Sequence, residues 1–243
     1  MNIVAIETAT ETVGVAVRAA DGAEAELTLT GRRRHVESLT PALEHLLSQV
    51  GLRATELEAV AVDLGPGLFT GLRVGVSAAK GLAQALGIGV VGLSSLDVLL
   101  EASARSGQSG LLLAAVDARR GEVFAAMRKV DGTRAGAGAG ASADVMTAGL
   151  FAPDALAAEL ARFEGRAIHA VGDGSVRYAD QLEAVEGLTV RRSGLTFPPP
   201  SVLLSLALQR LDTGVSPVAA ADVVPIYMRA ADAISNFAQI SPS

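Results

Sequence analysis

One short pattern occurs twice in this chain of 243 residues, and it constrains the fold more than any other feature. In each copy an apolar strand is followed by an acidic residue, a polar turn and a second strand. Glu7 follows residues 3–6 in the first copy, and Asp117 follows residues 111–116 in the second. Strands lead and helices follow in both halves, which is typical of α/β domains. The repeat predicts two related α/β lobes with mixed sheets flanked by helices.

A polar segment at residues 105–110 separates the two copies, and we take it as the boundary between the lobes. Residues 1–105 then form the N-terminal lobe and residues 106–230 the C-terminal lobe. A helix predicted at residues 201–212 is expected to pack back on the N-terminal lobe. Two segments are expected to be mobile because one alternates Gly with Ala and the other is terminal: residues 132–140 and residues 231–243.

The composition excludes several classes of function. Because the chain has no cysteine, thiol nucleophiles, thiolate metal sites and disulfides are excluded. Proteins that bind RNA on their own usually have a basic surface, whereas this chain has a formal net charge of −6. The one basic cluster, residues 32–34, is interpreted either as a solvated turn or as a contact to phosphate or to an acidic partner. Without a signal-peptide pattern or a membrane-length apolar run, we expect a cytoplasmic protein.

The segment GPGLFTGLR, residues 65–73, predicts a tight turn after a strand, with Thr70 capping a helix at 70–86. This helix contains Gly71, Gly75 and Gly81, and each glycine costs about 1 kcal/mol relative to Ala unless close packing offsets it. We favour the interpretation that these small residues leave room for another subunit. The alternative is that they let the helix lie close to its own sheet.

Acidic residues at strand ends indicate a possible nucleotide site, because ligands of α/β folds bind there. Two such carboxylates can hold Mg²⁺ for a nucleotide, and a turn between a strand and a helix can receive a phosphate. The alternative is that these acids and glycines only form turns and caps. The residues predicted to bind nucleotide are Glu7, Thr8, Asp117, Gly172 and Gly174.

The spacing of the three histidines predicts no metal site. His35 and His45 are ten residues apart and point in different directions on one helix, whereas helical zinc ligands stand four apart. The third, His169, lies in a different segment. Because there is also no G-x-S-x-G motif, we predict no catalytic residue in this chain.

Several segments together resemble the TsaB family, also called YeaZ, of bacterial tRNA threonylcarbamoyladenosine biosynthesis proteins. The most specific is the Gly-Pro-Gly run with Phe-Thr-Gly-Leu-Arg, and the first hundred or so residues match nearly throughout. The matching segments are residues 3–11, His35 with Leu39 and Pro41, and residues 65–75, 79–83, 117–124 and 225–229. The family pattern has Asp where this chain has Glu7, and Ser where it has Leu68.

The resemblance implies the two-lobed fold of actin, sugar kinases and heat-shock ATPases, which is ribonuclease H-like. It implies a non-catalytic dimerisation subunit that supports a catalytic paralogue, TsaD, together with an ATPase, TsaE. That complex installs threonylcarbamoyl on N6 of the adenosine beside the tRNA anticodon. Alone, such chains form homodimers, and they meet tRNA only through the complex. ATP or ADP and Mg²⁺ are expected at the assembled complex, not firmly on this chain.

The resemblance and the apolar first two helices predict a partner interface on the N-terminal lobe. Its expected residues are His35, Leu39, Leu43, Leu72, Arg73, Val76, Ala79 and Lys80. An alternative hypothesis is an ATP-dependent small-molecule kinase of the same fold, which would use the strand-end acids. A metallopeptidase is a third possibility, and Leu39 stands where the catalytic paralogue has the second histidine of a metal pair.

Overall fold

The computed structural model describes residues 1–31, 35–131, 142–163 and 165–229. The predicted basic cluster, Gly/Ala loop and terminal tail lie outside these residues. The first sheet has five strands in the order β3-β2-β1-β4-β5. Its strands are β1 (Ile3–Glu7), β2 (Thr12–Arg18), β3 (Glu24–Thr30), β4 (Ala59–Asp63) and β5 (Gly89–Leu93).

The second sheet repeats the arrangement of the first. Its strands are β6 (Gly110–Arg119), β7 (Glu122–Val130), β8 (Ser142–Phe151), β9 (Ile168–Val171) and β10 (Leu188–Val190), in the order β10-β9-β6-β7-β8. In both sheets the first strand lies at the centre, with antiparallel strands on one side and parallel strands on the other. The predicted two-lobed fold with duplicated mixed sheets is confirmed.

Helices cover both faces of each sheet. The helices are α1 (His35–Gln49), α2 (Phe69–Leu86), α3 (Ser95–Arg105), α4 (Pro153–Leu160), α5 (Asp173–Arg177), α6 (Ala179–Leu182) and α7 (Pro200–Asp212). The pair α1 and α2 packs on the outer face of the first sheet, and α4 to α6 pack on the outer face of the second. The remaining two helices, α3 and α7, lie between the sheets and contact each other.

The two central helices are exchanged between the lobes. The helix α3 follows the first sheet in sequence, yet its Leu99 packs against Leu112 of the second sheet. The helix α7 follows the second sheet, yet its Leu203 packs against Ile3 of the first. Each sheet therefore obtains half of its apolar cover from the other half of the chain, and burying this surface joins the lobes.

The last described segment, residues 214–229, crosses back to the N-terminal lobe, and we call it the C-terminal strap. Val218 pairs with Val90 on the edge of β5 through two backbone hydrogen bonds of 2.9 Å. The Ile226 N–H donates to the carbonyl of Leu64 at 2.7 Å, and Val223 is buried against the first core. These contacts bring the strap alongside α2.

Some predicted boundaries differ from the structure. Thr70 is not the cap of α2, because the helix begins at Phe69 and its cap position, Leu68, contributes no side-chain hydrogen bond. Pro41 lies inside α1, which runs from His35 to Gln49. The segment after β9 forms two short helices, α5 and α6.

Candidate interlobe cleft and candidate partner surface

The turn between β1 and β2 uses its polar side chains to hold its own backbone. Glu7 is buried, and its carboxylate accepts hydrogen bonds from the Ala9 N–H at 2.8 Å and from the Thr12 hydroxyl at 3.1 Å. The Thr8 hydroxyl donates to the carbonyl of Gly71 at 2.8 Å. Both residues predicted to bind nucleotide in this lobe are therefore engaged within the lobe itself.

A second buried carboxyl, Asp63, lies beside Glu7, and the sequence interpretation missed it. The register pairs Ile6 with Val62, so the two acids follow at the ends of neighbouring parallel strands. The Asp63 Oδ1 atom accepts hydrogen bonds from the Gly65 N–H and the Ser95 hydroxyl, both at 2.7 Å. Its buried Oδ2 atom has no hydrogen-bond partner among the described residues. The sequence did carry a signal for Asp63, because this acid ends an apolar strand just as Glu7 does.

Burial disfavours the charged forms of this carboxyl pair. Burial raises the pKa of Asp63 to about 7. Burial, followed by the nearby charge of Asp63, raises the pKa of Glu7 well above its ordinary value. The pair therefore holds its protons to a higher pH than two exposed carboxyls would, and this makes it a weaker cation ligand than two free carboxylates.

The turn between β6 and β7 is the counterpart in the second lobe, and it is also internally bonded. The Asp117 carboxylate accepts from the Arg119 N–H at 2.9 Å and from the Arg119 guanidinium at 2.8 Å, with Arg177 at 3.6 Å. The Asp117 N–H donates to Asp173 at 3.0 Å. Burial raises the pKa of Asp173 to about 6. The Asp117 carboxylate is thus already paired with the Arg119 guanidinium.

Two consecutive arginines in this turn adopt left-handed backbone conformations. The φ angles are 63° at Arg119 and 56° at Arg120, in a region that favours glycine. A register shift between Asp117 and Arg119 marks a bulge, and such bulges re-aim side chains. The Arg119 guanidinium reaches across to Glu11 of the β1–β2 turn at 2.5 Å. An ion pair therefore ties the equivalent turns of the two lobes together.

The predicted phosphate glycines are small because β6 lies against them. A Cβ atom on Gly172 would stand 2.1 Å from the carbonyl oxygen of Ala115, and one on Gly174 would stand 2.8 Å from the Val116 carbonyl carbon. Of the five predicted nucleotide-binding residues, Thr8 lies beneath α2, Glu7 and Asp117 lie in the two turns that the Glu11–Arg119 ion pair joins, and the two glycines lie against β6. Each of them is packed or bonded within the chain, and nucleotide binding stays a prediction.

The predicted partner interface is a shallow groove between α1 and α2 with a volume of about 540 Å³. Of the predicted residues, Arg73 is exposed, whereas Leu39, Leu72, Val76 and Ala79 are buried in the lobe's own core. The other three, His35, Leu43 and Lys80, are half-buried. The groove is lined by Val36, Leu39, Thr40, Phe69, Thr70, Arg73, Val74, Ser77 and Ala78. The residues a partner can reach are therefore mostly neighbours of the predicted ones.

Two of the helix glycines face inward, which corrects the favoured interpretation of them. A Cβ atom on Gly71 would stand 2.1 Å from the Thr8 carbonyl oxygen, and one on Gly75 would stand 2.2 Å from the Thr8 hydroxyl. These glycines let α2 approach its own sheet and leave no room for another subunit. Gly81 alone of the three has no atom within 4 Å of its Cβ position.

An aromatic contact lies at one end of the groove. The rings of Phe69 and Tyr227 have centroids 5.7 Å apart, and the Arg73 guanidinium carbon lies 3.8 Å above the Phe69 ring. The half-buried His35 contacts the carbonyl of Thr10 at 3.0 Å, and Lys80 donates to the C-terminal strap at Val223. Phe69 and Tyr227 were not predicted, although both lie in segments that carried the family resemblance.

Similarity to known proteins extends over most of the chain. A family model described as TsaD, tRNA N6-adenosine threonylcarbamoyltransferase, matches residues 28–236. The tRNA threonylcarbamoyladenosine biosynthesis protein TsaB of Escherichia coli is 30% identical, over 94% of this chain and 95% of that protein. The chain belongs to the TsaB family. The TsaB protein of Bacillus subtilis is 36% identical over 51% of this chain and 53% of its own length.

Solved structures of TsaB-like proteins have the same fold. A Pseudomonas aeruginosa protein described as similar to peptidase YEAZ superposes with a TM-score of 0.78 at 25% identity, covering 94% of this chain and 99% of that chain. In the described part of this TsaB-family chain, no three His, Asp or Glu residues form a group that could hold a metal. None of its described helices has the length and apolar character needed to cross a membrane.

Proposed function

We propose that this TsaB-family chain is the non-catalytic subunit of the cytoplasmic complex that installs threonylcarbamoyl on tRNA. Its role is to bind and support a catalytic paralogue of the TsaD type through the groove between α1 and α2. The observation that carries the proposal is the contrast between two surfaces. The groove is mostly apolar and open, whereas the Glu7 and Asp117 carboxylates of the interlobe cleft accept hydrogen bonds from the chain's own groups.

The engaged cleft supports the non-catalytic part of the proposal. A general base or a metal ligand needs a carboxylate that faces substrate or water. Glu7 and Asp117 instead accept hydrogen bonds from their own turns, and Arg119 occupies the gap between the turns. The relatives' names, which include both TsaB and a tRNA N6-adenosine threonylcarbamoyltransferase, support the assignment to this reaction.

The open groove supports the binding part of the proposal. Val36 is 72% exposed on its rim, and exposed apolar side chains beside a groove are typical of protein interfaces. We expect the TsaD-type paralogue to occupy the groove, with a TsaE-type ATPase joining the complex. A second copy of the chain is expected to occupy the groove when the chain is alone. A nucleotide with Mg²⁺ is expected at the assembled junction, and tRNA is expected to contact the complex.

Partner binding is the decisive test. The chain and the paralogue from the same organism are mixed and analysed by gel filtration, and threonylcarbamoyladenosine in tRNA is measured with the full complex. Val36→Asp is expected to abolish co-elution and tRNA modification together, because it places a charge in an apolar contact. Val215→Asp, at a residue 50% exposed outside the groove, is the matched control. Unchanged co-elution of the Val36 variant would contradict the groove assignment.

The kinase hypothesis is tested separately by calorimetry with ATP and Mg²⁺. The observation that supports this hypothesis is that the turns containing Glu7 and Asp117 lie close together, joined by the Glu11–Arg119 ion pair. Binding in the micromolar range that is lost on Asp117→Ala would favour that function over the proposed one. We expect no such binding to the isolated chain, because the Glu11–Arg119 ion pair lies between the turns.

A further inference from the structure

Two aromatic side chains are exposed together at the end of the groove, although aromatic residues are rare in this chain. The sequence has six Phe, two Tyr and no Trp, and yet Phe69 and Tyr227 are each 49% exposed. Their rings touch each other and Arg73 lies above Phe69, so the three side chains form one surface cluster. We call it the aromatic anchor. Tyr and Arg are the residue types that most often dominate protein–protein binding energy.

Arg73 supplies the charge of this cluster. Its guanidinium is exposed and forms no ion pair with any carboxylate in the part of the chain that the structure describes. The lining of the groove next to it is mostly apolar and includes Val36, Val74 and Ala78. A guanidinium at the end of an apolar groove is complementary to a carboxylate on an otherwise apolar surface, and such a pair forms strong, charge-assisted hydrogen bonds.

The anchor is built from two distant parts of the chain. Phe69 and Arg73 come from α2, whereas Tyr227 comes from the C-terminal strap. The strap is fixed to α2 by Lys80, whose amino group donates to the carbonyls of Ala221 at 3.3 Å and Val223 at 3.1 Å. The Ile226 N–H bond to Leu64 then sets the position of Tyr227. The surface therefore exists only when the strap is in place.

We propose that the aromatic anchor, with Tyr227 from the strap, is the specificity-determining end of the groove. It fits a partner helix that lays an apolar stripe along α1 and α2 and presents an Asp or Glu side chain to Arg73. This inference rests on the proposed function. A protein partner is favoured over a nucleic acid because the chain is acidic, the groove is apolar and the anchor has a single cation.

The test measures binding of the purified TsaD-type paralogue by calorimetry at two salt concentrations. Arg73→Gln removes the charge and Tyr227→Ala removes the ring, and each is expected to weaken binding about tenfold or more. The Arg73→Gln complex is also expected to lose most of its salt dependence, whereas Arg73→Lys retains it. Val224→Ala, at a strap residue that is 65% exposed and outside the anchor, is the control and is expected to bind like the wild type. Thermal melts confirm that each variant is folded.

The outcomes separate this inference from the proposed function. If the wild type binds and both anchor variants bind equally well, the anchor inference is overturned and the subunit role stands. If the wild type does not bind the paralogue, both are overturned. If the chain alone binds fluorescent tRNA and Tyr227→Ala abolishes that binding, the anchor is a base-stacking site and the protein-partner inference is wrong.

Discussion

At the scale of single residues, the interlobe cleft is defined by carboxyl groups that are not free to react. Glu7 and Asp63 are buried and Asp173 is half-buried, and desolvation raises the pKa of each. A raised pKa in the folded state means that the native protein binds protons that the unfolded chain releases. The cleft therefore links folding to pH.

The first prediction concerns this linkage at Asp63. Its pKa rises from 3.8 to about 7 on folding. Its proton therefore contributes stability fully below about pH 4, and this contribution is lost as the pH rises through about 7. The wild type is expected to melt at a lower temperature at about pH 8 than at about pH 5. Asp63→Asn is expected to reduce this difference, because the Asp63 proton contributes at most roughly 3 kcal/mol more to the unfolding free energy at pH 5 than at pH 8.

Thermal melts at both pH values check the prediction, with Asp212→Asn as a control at an exposed residue on the end of α7. Burial also raises the pKa of Glu7, and Asp97 faces Asp63 from α3, so part of the pH dependence is expected to remain. Equal pH dependence in the wild type and the Asp63 variant would contradict the assignment.

At the scale of elements, α2 is placed by its glycines. Its first turns lie so close to the β1–β2 turn that a methyl group at Gly71 would overlap the Thr8 backbone. The close approach brings Phe69 and Arg73 to one end of the groove, while the buried Val76 and Ala79 hold the helix on the sheet. The geometry of the partner surface thus depends on contacts beneath it.

The second prediction compares two glycines of this helix. Gly71→Ala is expected to destabilise the protein by about 2 kcal/mol or more, because the rigid backbone of Thr8 blocks the methyl group. Gly81→Ala is expected to stabilise it by up to about 1 kcal/mol, because the site is open and Ala favours helix. Urea unfolding measures both changes. Similar effects of the two substitutions would show that the close approach is not needed.

The elements that sequence patterns predicted well are those with strong periodicity. The buried strands β1, β4 and β6 and the helices α1 and α2 have clear apolar runs or stripes. The strand β8 was missed because its pairing with β7 is interrupted by register shifts, so no regular alternation marks it. The strand β10 was missed because it has only three residues. The structure of a short or bulged element depends on its pairing with neighbouring strands, and a local sequence pattern carries no information about that pairing.

Site residues at strand ends carried a sequence signal, although Asp63 was missed, whereas site residues that the fold brings together from distant parts of the chain carried none. Glu7 and Asp117 were found as acids at strand ends. The Glu11–Arg119 pair joins residues 108 positions apart, and the contact between Phe69 and Tyr227 depends on the path of the strap. No spacing rule relates such residues, because their proximity results from the packing of the two lobes.

At the scale of the whole molecule, the exchanged helices and the Glu11–Arg119 ion pair are among the features that join the lobes. The third prediction concerns the ion pair. Glu11→Gln is expected to change the unfolding free energy by less than about 1 kcal/mol, because both partners are partly exposed. Hydrogen exchange in residues 8–12 and 117–122 is nevertheless expected to speed up several-fold, because the turns are no longer tied together. Glu24→Gln, which breaks the Arg18–Glu24 pair within one lobe, is the control. Unaltered exchange in both turns would exclude a tie between the lobes.

The fourth prediction concerns the exchanged helices. Leu203→Ala in α7 is expected to destabilise the protein by about 2–5 kcal/mol, because the side chain is fully buried under the first sheet. Since each central helix covers the sheet of the other half, the lobes are expected to unfold together. Scanning calorimetry is expected to show one transition in the wild type and in the variant. Two resolved transitions would indicate that the lobes are independent.

The exchange of α3 and α7 also has a consequence for synthesis on the ribosome. When β5 has left the exit tunnel, the first sheet has all its strands but not the helix that covers its inner face. That helix, α7, is translated more than a hundred residues later. At about 5–20 residues per second, the nascent chain spends several seconds with an uncovered apolar sheet, which makes it a substrate for chaperones.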